Sequence, residues 1–293
     1  MSEVVVRFTR EERTEIKSRL ETFDRDVARV FVDAYYQAQG ERKRVGNQKG
    51  AIERRVDSGN AERLEWFKTD RALVEAKVKF HLGVIARSHE AGRWAISIPG
   101  IADVFTAGLL ALVDVRVANT AGKLWSFFGV NPEQREWKKG TKRPYCAIGK
   151  TITWQIGESF KKVMNCGDCI CTPAKPQQHV GRCYIYSKVY RERKVLEVER
   201  NEAGLFREQA LARLEKLKNK RISDEQREIW ASGKLQNVGL DIRAGRVAAK
   251  LFLSHFHHVL HEVELGEPPP VPWVLQHGGH VDYIPVPNWP MDD

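Results

Sequence analysis

Four of the five cysteines are clustered, and their spacing is that of metal ligands. Cys166 and Cys169 are separated by two residues, which allows two thiolates to hold one tetrahedral zinc ion. His179 and Cys183 follow four positions apart and complete a candidate set of four ligands, with Cys171 as a competing ligand. We therefore predict a small structural zinc knuckle. The alternatives are free buried thiols and a redox pair.

A second candidate site is the pentapeptide Ile98-Pro99-Gly100-Ile101-Ala102. A helix-hairpin-helix uses a tight turn to direct consecutive backbone N–H groups at a phosphate, and its second helix adds the positive end of its dipole. Proline presets such a turn, and glycine allows a positive φ or a close approach. Ile98 and Ile101 are expected to hold the two helices together. Ala102 stands where such hairpins usually have a second glycine. The alternative is an ordinary corner between packed helices.

The stretch 134–150 concentrates positive charge, because six cations are accompanied by Glu136 alone, a local balance of +5. Trp137 and Tyr145 are interleaved with these cations. Cations neutralise phosphates and aromatic rings stack on exposed bases, so we predict contact with a nucleic-acid backbone. The alternative is a solvated loop that its aromatic residues anchor. The cations are Arg135, Lys138, Lys139, Lys142, Arg143 and Lys150.

The order of these pieces resembles the C-terminal domain of bridge-RNA-guided insertion-sequence transposases, the IS-one-ten family. The resemblance covers roughly 70 residues of 293 and implies DNA binding and a recombination ancestry. The matching pieces are Ile98 to Ile101, the Ala/Leu-rich run Ala107 to Ala111, Asp114, Gly129-Val130-Asn131-Pro132, and the basic stretch Lys138 to Arg143.

The same resemblance implies altered chemistry. The family has a nucleophilic serine just before the glycine of the basic stretch, and here Lys139 precedes Gly140. A protonated lysine cannot replace a serine hydroxyl in forming a phosphoryl ester. The family also carries an N-terminal domain with metal-binding acidic residues on strands, whereas residues 1–90 have a helical pattern. We therefore expect no catalytic residue of that type.

Helical periodicity and capping patterns predict the elements that position these residues. Thr9 and Glu12 form a candidate capping box. The glycine-containing stretch 39–59 is expected to be an exposed connection, and Asn60 is expected to cap the helix that follows. The predicted helices cover 9–36, 60–85, 104–113, 120–128, 151–164, 184–220 with an interruption near Asn201, and 242–265.

Four histidines crowd the last of these helices: His255, His257, His258 and His261. Pairs at helical spacing can bind a metal ion, but no acidic partner completes a recognised motif. We interpret the four side chains as packing and surface residues.

These elements predict an all-α protein, a helical bundle with a central helix-hairpin-helix domain. No run of apolar residues is long enough to span a bilayer, and no secretory signal pattern begins the chain, so we expect a cytoplasmic protein without membrane contact. The predicted segments are a long helical N-terminal region (1–90), a transposase-like domain (91–165), a Cys-rich loop with C-terminal helices (166–265) and an irregular Pro-rich tail (266–293).

The net charge of +10 favours an anionic partner. We expect a DNA-binding protein that is related to insertion-sequence transposases and lacks the catalytic residues of that family, with RNA as the alternative ligand. No motif offers side chains for reading base edges, so little sequence specificity is expected. Two other functions remain open, an active recombinase and a helical scaffold that binds partners through 9–36 and 184–220. The oligomeric state is also open, a homodimer included.

Overall fold

The computed structural model describes residues 8–55, 64–132, 137–163, 184–217, 222–272 and 283–291. Within these ranges the chain forms eleven α-helices and no β-strand, which confirms the predicted all-α class. The helices are α1 (Arg10–Arg19), α2 (Arg25–Glu53), α3 (Glu65–Ser88), α4 (Glu90–Ser97), α5 (Asp103–Leu112), α6 (Ala121–Phe127), α7 (Ala147–Lys162), α8 (Ile185–Glu202), α9 (Arg207–Lys216), α10 (Asp224–Ala231) and α11 (Asn237–Leu265).

The helices belong to two compact units. Unit 1 comprises residues 1–96 and 102–114, and unit 2 comprises residues 97–101 and 115–293. The predicted segment 91–165 is therefore divided, because α5 packs against α2 and α3 of unit 1. None of the helices in the described ranges combines the length and the apolar character that a membrane crossing requires.

Unit 1 is built on an antiparallel pair of long helices, α2 and α3. Phe31 stacks on His81 with ring centroids 5.0 Å apart. Further along the pair, Lys49 Nζ lies 2.5 Å from Glu65 Oε2. Helix α5 packs against both, and Arg29 Nε donates to the carbonyl oxygen of its Ala111 at 2.8 Å.

Local capping determines where these helices begin. The predicted capping box is confirmed: Thr9 Oγ1 accepts from Glu12 N–H at 3.1 Å, and Glu12 accepts from Thr9 N–H at 2.7 Å. The prediction of one continuous helix over 9–36 is wrong, because α1 ends at Arg19 and α2 begins at Arg25. Asp24 then caps α2 by accepting from Val27 N–H at 2.9 Å.

The predicted connection over 39–59 is also wrong in its first part, because α2 continues as far as Glu53. Each glycine in a helix costs about 0.5–1 kcal/mol relative to alanine. Tertiary contacts offset this cost: Val45 is buried, and the ion pair between Arg42 and Glu75 links α2 to α3. The predicted cap Asn60 lies outside the described residues.

Unit 2 is organised around α11, against which α6, α7 and α8 pack. Phe160 of α7 stacks on Tyr186 of α8 with ring centroids 5.0 Å apart, and Phe252 of α11 closes the cluster. The interruption predicted near Asn201 is confirmed. Helix α8 ends at Glu202, and the Asn201 side chain hydrogen-bonds both backbone groups of Leu235.

Helices α7 and α11 approach closely where two glycines meet. A Cβ atom on Gly157 would lie 2.8 Å from the carbonyl oxygen of Gly245, so the two backbones are in direct contact. On either side of this contact α7 buries Ile152, Ile156 and Phe160. This apolar stripe turns the opposite face of α7, which carries Lys150 and Trp154, towards the outside.

Candidate nucleic-acid interface

The pentapeptide 98–102 forms a tight turn after α4. Ile101 N–H donates to the carbonyl oxygen of Ile98 at 3.0 Å, and Gly100 has a φ of +95°, which favours glycine. Ile98 and Ile101 are 1% and 5% exposed, so both serve as apolar anchors. Pro99 is half-buried and Ala102 is exposed.

The close approach at Gly100 is made to α7. A Cβ atom there would lie 2.8 Å from Val163 Cγ2, and Ser159 Oγ donates to the carbonyl oxygen of Gly100 at 2.6 Å. Protein packing alone therefore accounts for glycine at this position. We read the turn first as a structural corner, and a phosphate contact by its amides stays a prediction.

The helix that follows the turn already has a carboxylate at its N-terminus. Asp103 stands in the first turn of α5, where a negative charge interacts favourably with the helix dipole. Its Oδ1 lies 2.8 Å from Arg87 Nη1. A phosphate at this helix end would be repelled by Asp103, which weakens the case for an anion site there.

The basic loop is ordered by its own contacts. Thr141 N–H and its hydroxyl both donate to the carbonyl oxygen of Lys138, at 3.1 and 2.7 Å, and Gly140 takes a φ of +93° within this turn. Trp137 Nε1 donates to the carbonyl oxygen of Thr141 at 2.8 Å. The guanidinium of Arg143 lies 5.1 Å from the centroid of the Trp137 ring. Trp137 thus holds the loop in shape.

The cations of this loop project into solvent without acidic partners. Among the described residues none of them forms an ion pair, and the segment 137–150 contains no acidic residue. Arg135 lies outside the described residues, as do Glu133 and Glu136. The exposed cations are Lys138, Lys139, Lys142, Arg143 and Lys150.

The C-terminal end of the loop is fixed to α6. Cys146 N–H donates to the carbonyl oxygen of Phe127 at 2.7 Å. Gly129, at a φ of +68°, lies directly beneath the Tyr145 ring, which a Cβ atom would approach to 2.8 Å. Lys150 Nζ lies 4.2 Å from the centroid of the same ring. Tyr145 therefore packs within the protein, which favours the anchoring role over base stacking.

A groove of about 270 Å³ adjoins the loop between α7 and α11. Its walls include Lys150, Trp154 and Glu158 from α7 and Arg246 from α11. Trp154 is 53% exposed, and Arg246 is exposed without an ion pair among the described residues. Burial, and secondarily the charge of Arg246, lower the pKa of the nearby Lys250. The groove therefore carries a cation on each wall, Lys150 on α7 and Arg246 on α11, together with the carboxylate of Glu158.

The glycine turn and the basic loop lie towards opposite ends of α7. The turn contacts Ser159 and Val163, whereas the loop enters the helix at Cys146. At 1.5 Å per residue, Lys150 and Ser159 are separated by about 14 Å along the helix axis. The structure therefore joins the loop to the groove, and it does not bring the turn and the loop together in one cluster.

The predicted zinc ligands Cys166, Cys169, His179 and Cys183 lie outside the described residues, and so does the competing Cys171. Among the residues that the structure does describe, no three His, Cys, Asp or Glu side chains are grouped as a metal site.

The buried histidines of α11 hydrogen-bond to backbone carbonyl oxygens. His255 Nε2 lies 2.9 Å from the oxygen of Ile284, and His257 Nε2 lies 2.7 Å from that of Ala118. Burial lowers the pKa of His255 to about 4 and also lowers the pKa of His257. The neutral rings thus connect α11 to segments before and after it in the chain.

Trp154 and Arg246 were not among the residues singled out from the sequence. A signal for Trp154 was present, because it falls off the apolar stripe of Ile152, Ile156 and Phe160 and so had to face outward. No comparable signal marks Arg246, since only the packing of α7 on α11 brings it into the same groove as Trp154.

No family model matches this chain, and none of the curated proteins or solved structures compared with it matches either. The resemblance to insertion-sequence transposases therefore stays a prediction from the residue pattern.

Proposed function

We propose that this protein binds nucleic acid, DNA in the first place and RNA as the alternative, through a basic face of unit 2. This basic face consists of the exposed cations Lys138, Lys139, Lys142, Arg143 and Lys150. The observation that carries the proposal is the set of exposed cations in 137–150, which have no acidic partner among the residues that the structure describes. Four of these cations precede α7 and Lys150 lies in its first turn, an arrangement that allows them to follow a sugar-phosphate strand. Binding of this kind depends on charge and therefore shows little sequence preference.

The contrast with other cations of the protein supports this reading. Arg243 pairs with the buried Glu197 at 2.6 Å, and Lys161 pairs with Asp241 at 2.5 Å. Such pairs neutralise charge within the fold. Cations left together without partners repel one another, and a polyanion relieves that repulsion. The basic face thus has the electrostatic character of a surface that binds nucleic acid.

A relation to insertion-sequence transposases belongs to the same proposal and has the residue pattern as its support. We propose binding without strand transfer, because Lys139 stands where the family has its serine. Lys139 is exposed in the loop and suits a phosphate contact. The turn 98–102 then serves mainly to seat α7 and the loop before it.

The salt dependence of DNA binding tests the proposal. Each phosphate contact contributes about 0.9 to the slope of log K against log salt for duplex DNA. The variant Lys138/Lys139/Lys142/Arg143→Ala is therefore expected to bind more weakly and to lose about 2–4 from that slope. Fluorescence anisotropy with a labelled duplex, measured over a series of salt concentrations, gives both quantities.

A matched control removes four exposed cations from unit 1 instead: Arg10/Lys17/Lys43/Arg44→Ala. Both variants lower the net charge by the same amount, so a general charge effect would change both slopes equally. We expect the control to keep the slope of the parent protein. Equal losses in the two variants, or no binding by the parent, would contradict the proposal.

A further inference from the structure

We infer that the groove between α7 and α11 takes an unpaired base of the bound strand, which stacks on Trp154 while the phosphates of the strand reach Lys150 and the basic loop. This inference rests on the proposed function and narrows it. It states that the preferred ligand is single-stranded or locally unpaired nucleic acid, and that the basic loop serves as the adjoining backbone contact.

The exposure of Trp154 is the first observation. Its side chain is 53% exposed, whereas Trp94 and Trp230 are buried at 0% and 6%. Trp137 donates its indole N–H to a backbone carbonyl, and Trp125 does the same. Within the described residues, the Trp154 ring has neither a hydrogen-bond partner nor an aromatic neighbour. An aromatic face held open beside cations is the arrangement on which unpaired bases stack.

The shape of the groove is the second observation. Gly157 and Gly245 bring the two helix backbones into contact, and both line the groove, so no side chain from either position fills it. Its volume of about 270 Å³ suits a single base and excludes a double helix. The bases of a duplex lie inside the stack, so only an unpaired or extruded base can enter such a space.

The order of charges along α7 gives the groove a direction. Lys150, Trp154 and Glu158 follow at intervals of four residues, which places them on one face about 6 Å apart. Along α7, Lys150 attracts a phosphate and Glu158 repels it. The carboxylate of Glu158 can instead accept hydrogen bonds from the amino groups of a base. The bound nucleic-acid strand thus has its backbone towards the basic loop, and the base that stacks on Trp154 points towards Glu158.

Binding of a mixed-sequence oligonucleotide as a single strand and as the blunt duplex tests this inference. Trp154→Ala is expected to weaken single-strand binding by roughly 5-fold to 100-fold, the effect of losing one stacked base. Duplex binding should change by less than about 2-fold, because the duplex contacts the loop alone. The matched control is Trp66→Ala, which removes a tryptophan that is 72% exposed in unit 1 and should change neither affinity.

Trp154→Phe keeps a stacking face and should retain most of the single-strand affinity, while circular dichroism checks that each variant is folded. If the loop variant weakens both ligands but Trp154→Ala weakens neither, the inference is overturned and the proposed function stands. An equal loss for single strand and duplex in Trp154→Ala would also overturn it. If the parent protein binds neither ligand, the proposed function fails, and the inference fails with it.

Discussion

The contact between Gly157 and Gly245 gives the sharpest test of the packing in unit 2. An alanine at Gly157 would place its methyl group 2.8 Å from the Gly245 oxygen and 3.0 Å from the carbon of the same carbonyl. Both atoms belong to the backbone of α11 and cannot rotate away, so the helices must separate. An alanine at Gly245 would lie 3.4 Å from the nearest atoms of Gly157, which is an ordinary contact distance.

The magnitudes follow from two opposing effects. Replacing glycine by alanine within a helix stabilises it by about 1 kcal/mol. Overpacking a filled interface costs about 1–3 kcal/mol, and here the buried side chains of Ile156 and Phe160 would also lose contacts as α7 moves. Gly157→Ala is therefore expected to destabilise the protein by up to about 2 kcal/mol. Gly245→Ala should be neutral or stabilising by up to about 1 kcal/mol.

Urea unfolding monitored by circular dichroism measures both changes. Gly40→Ala is the matched control, because Gly40 is an exposed helical glycine of α2 with no atom within 4 Å of an added Cβ. It should stabilise unit 1 by about 0.5–1 kcal/mol. A Gly157→Ala protein as stable as Gly245→Ala would refute the backbone contact between α7 and α11.

Further predictions concern acid stability, the turn and the metal. Burial lowers the pKa of His255 from 6.5 to about 4, so its contribution to stability is present above pH 6.5 and is lost as the pH falls towards 4. Between pH 7 and pH 5 this amounts to roughly 2 kcal/mol, and His255→Gln should show a smaller decrease in urea titrations at the two pH values. Gly100→Ala is strained at a φ of +95° and meets Val163, so thermal unfolding should begin several degrees lower; an unchanged midpoint would argue against the seating of the turn on α7. The zinc prediction expects about one zinc per chain by elemental analysis, with loss of the metal in Cys166/Cys169→Ser, and a metal-free parent protein prepared without chelators would contradict it.

Several features could be predicted from the sequence because they depend on near neighbours. The Thr9 capping box joins residues three positions apart, and the helix end near Asn201 is closed locally by Gly204, which takes a φ of +76°. The start of α2 was missed because Leu20 to Asp24 interrupts a periodic pattern without proline or glycine. The continuation of α2 through its glycines was missed because it depends on a distant residue: Glu75, which belongs to α3, forms an ion pair with Arg42 of α2.

The sequence by itself determined the helical class and the collection of cations in 134–150. Both follow from local properties, namely the period of apolar residues and the types of side chain in one short stretch. Only the tertiary structure decided that Ser159, which lies 59 residues further on, donates a hydrogen bond to the carbonyl oxygen of Gly100, and that Arg246 lines the same groove as Trp154. These relations depend on how helices pack against each other, and the spacing of residues within one helix does not record which distant backbone will approach it.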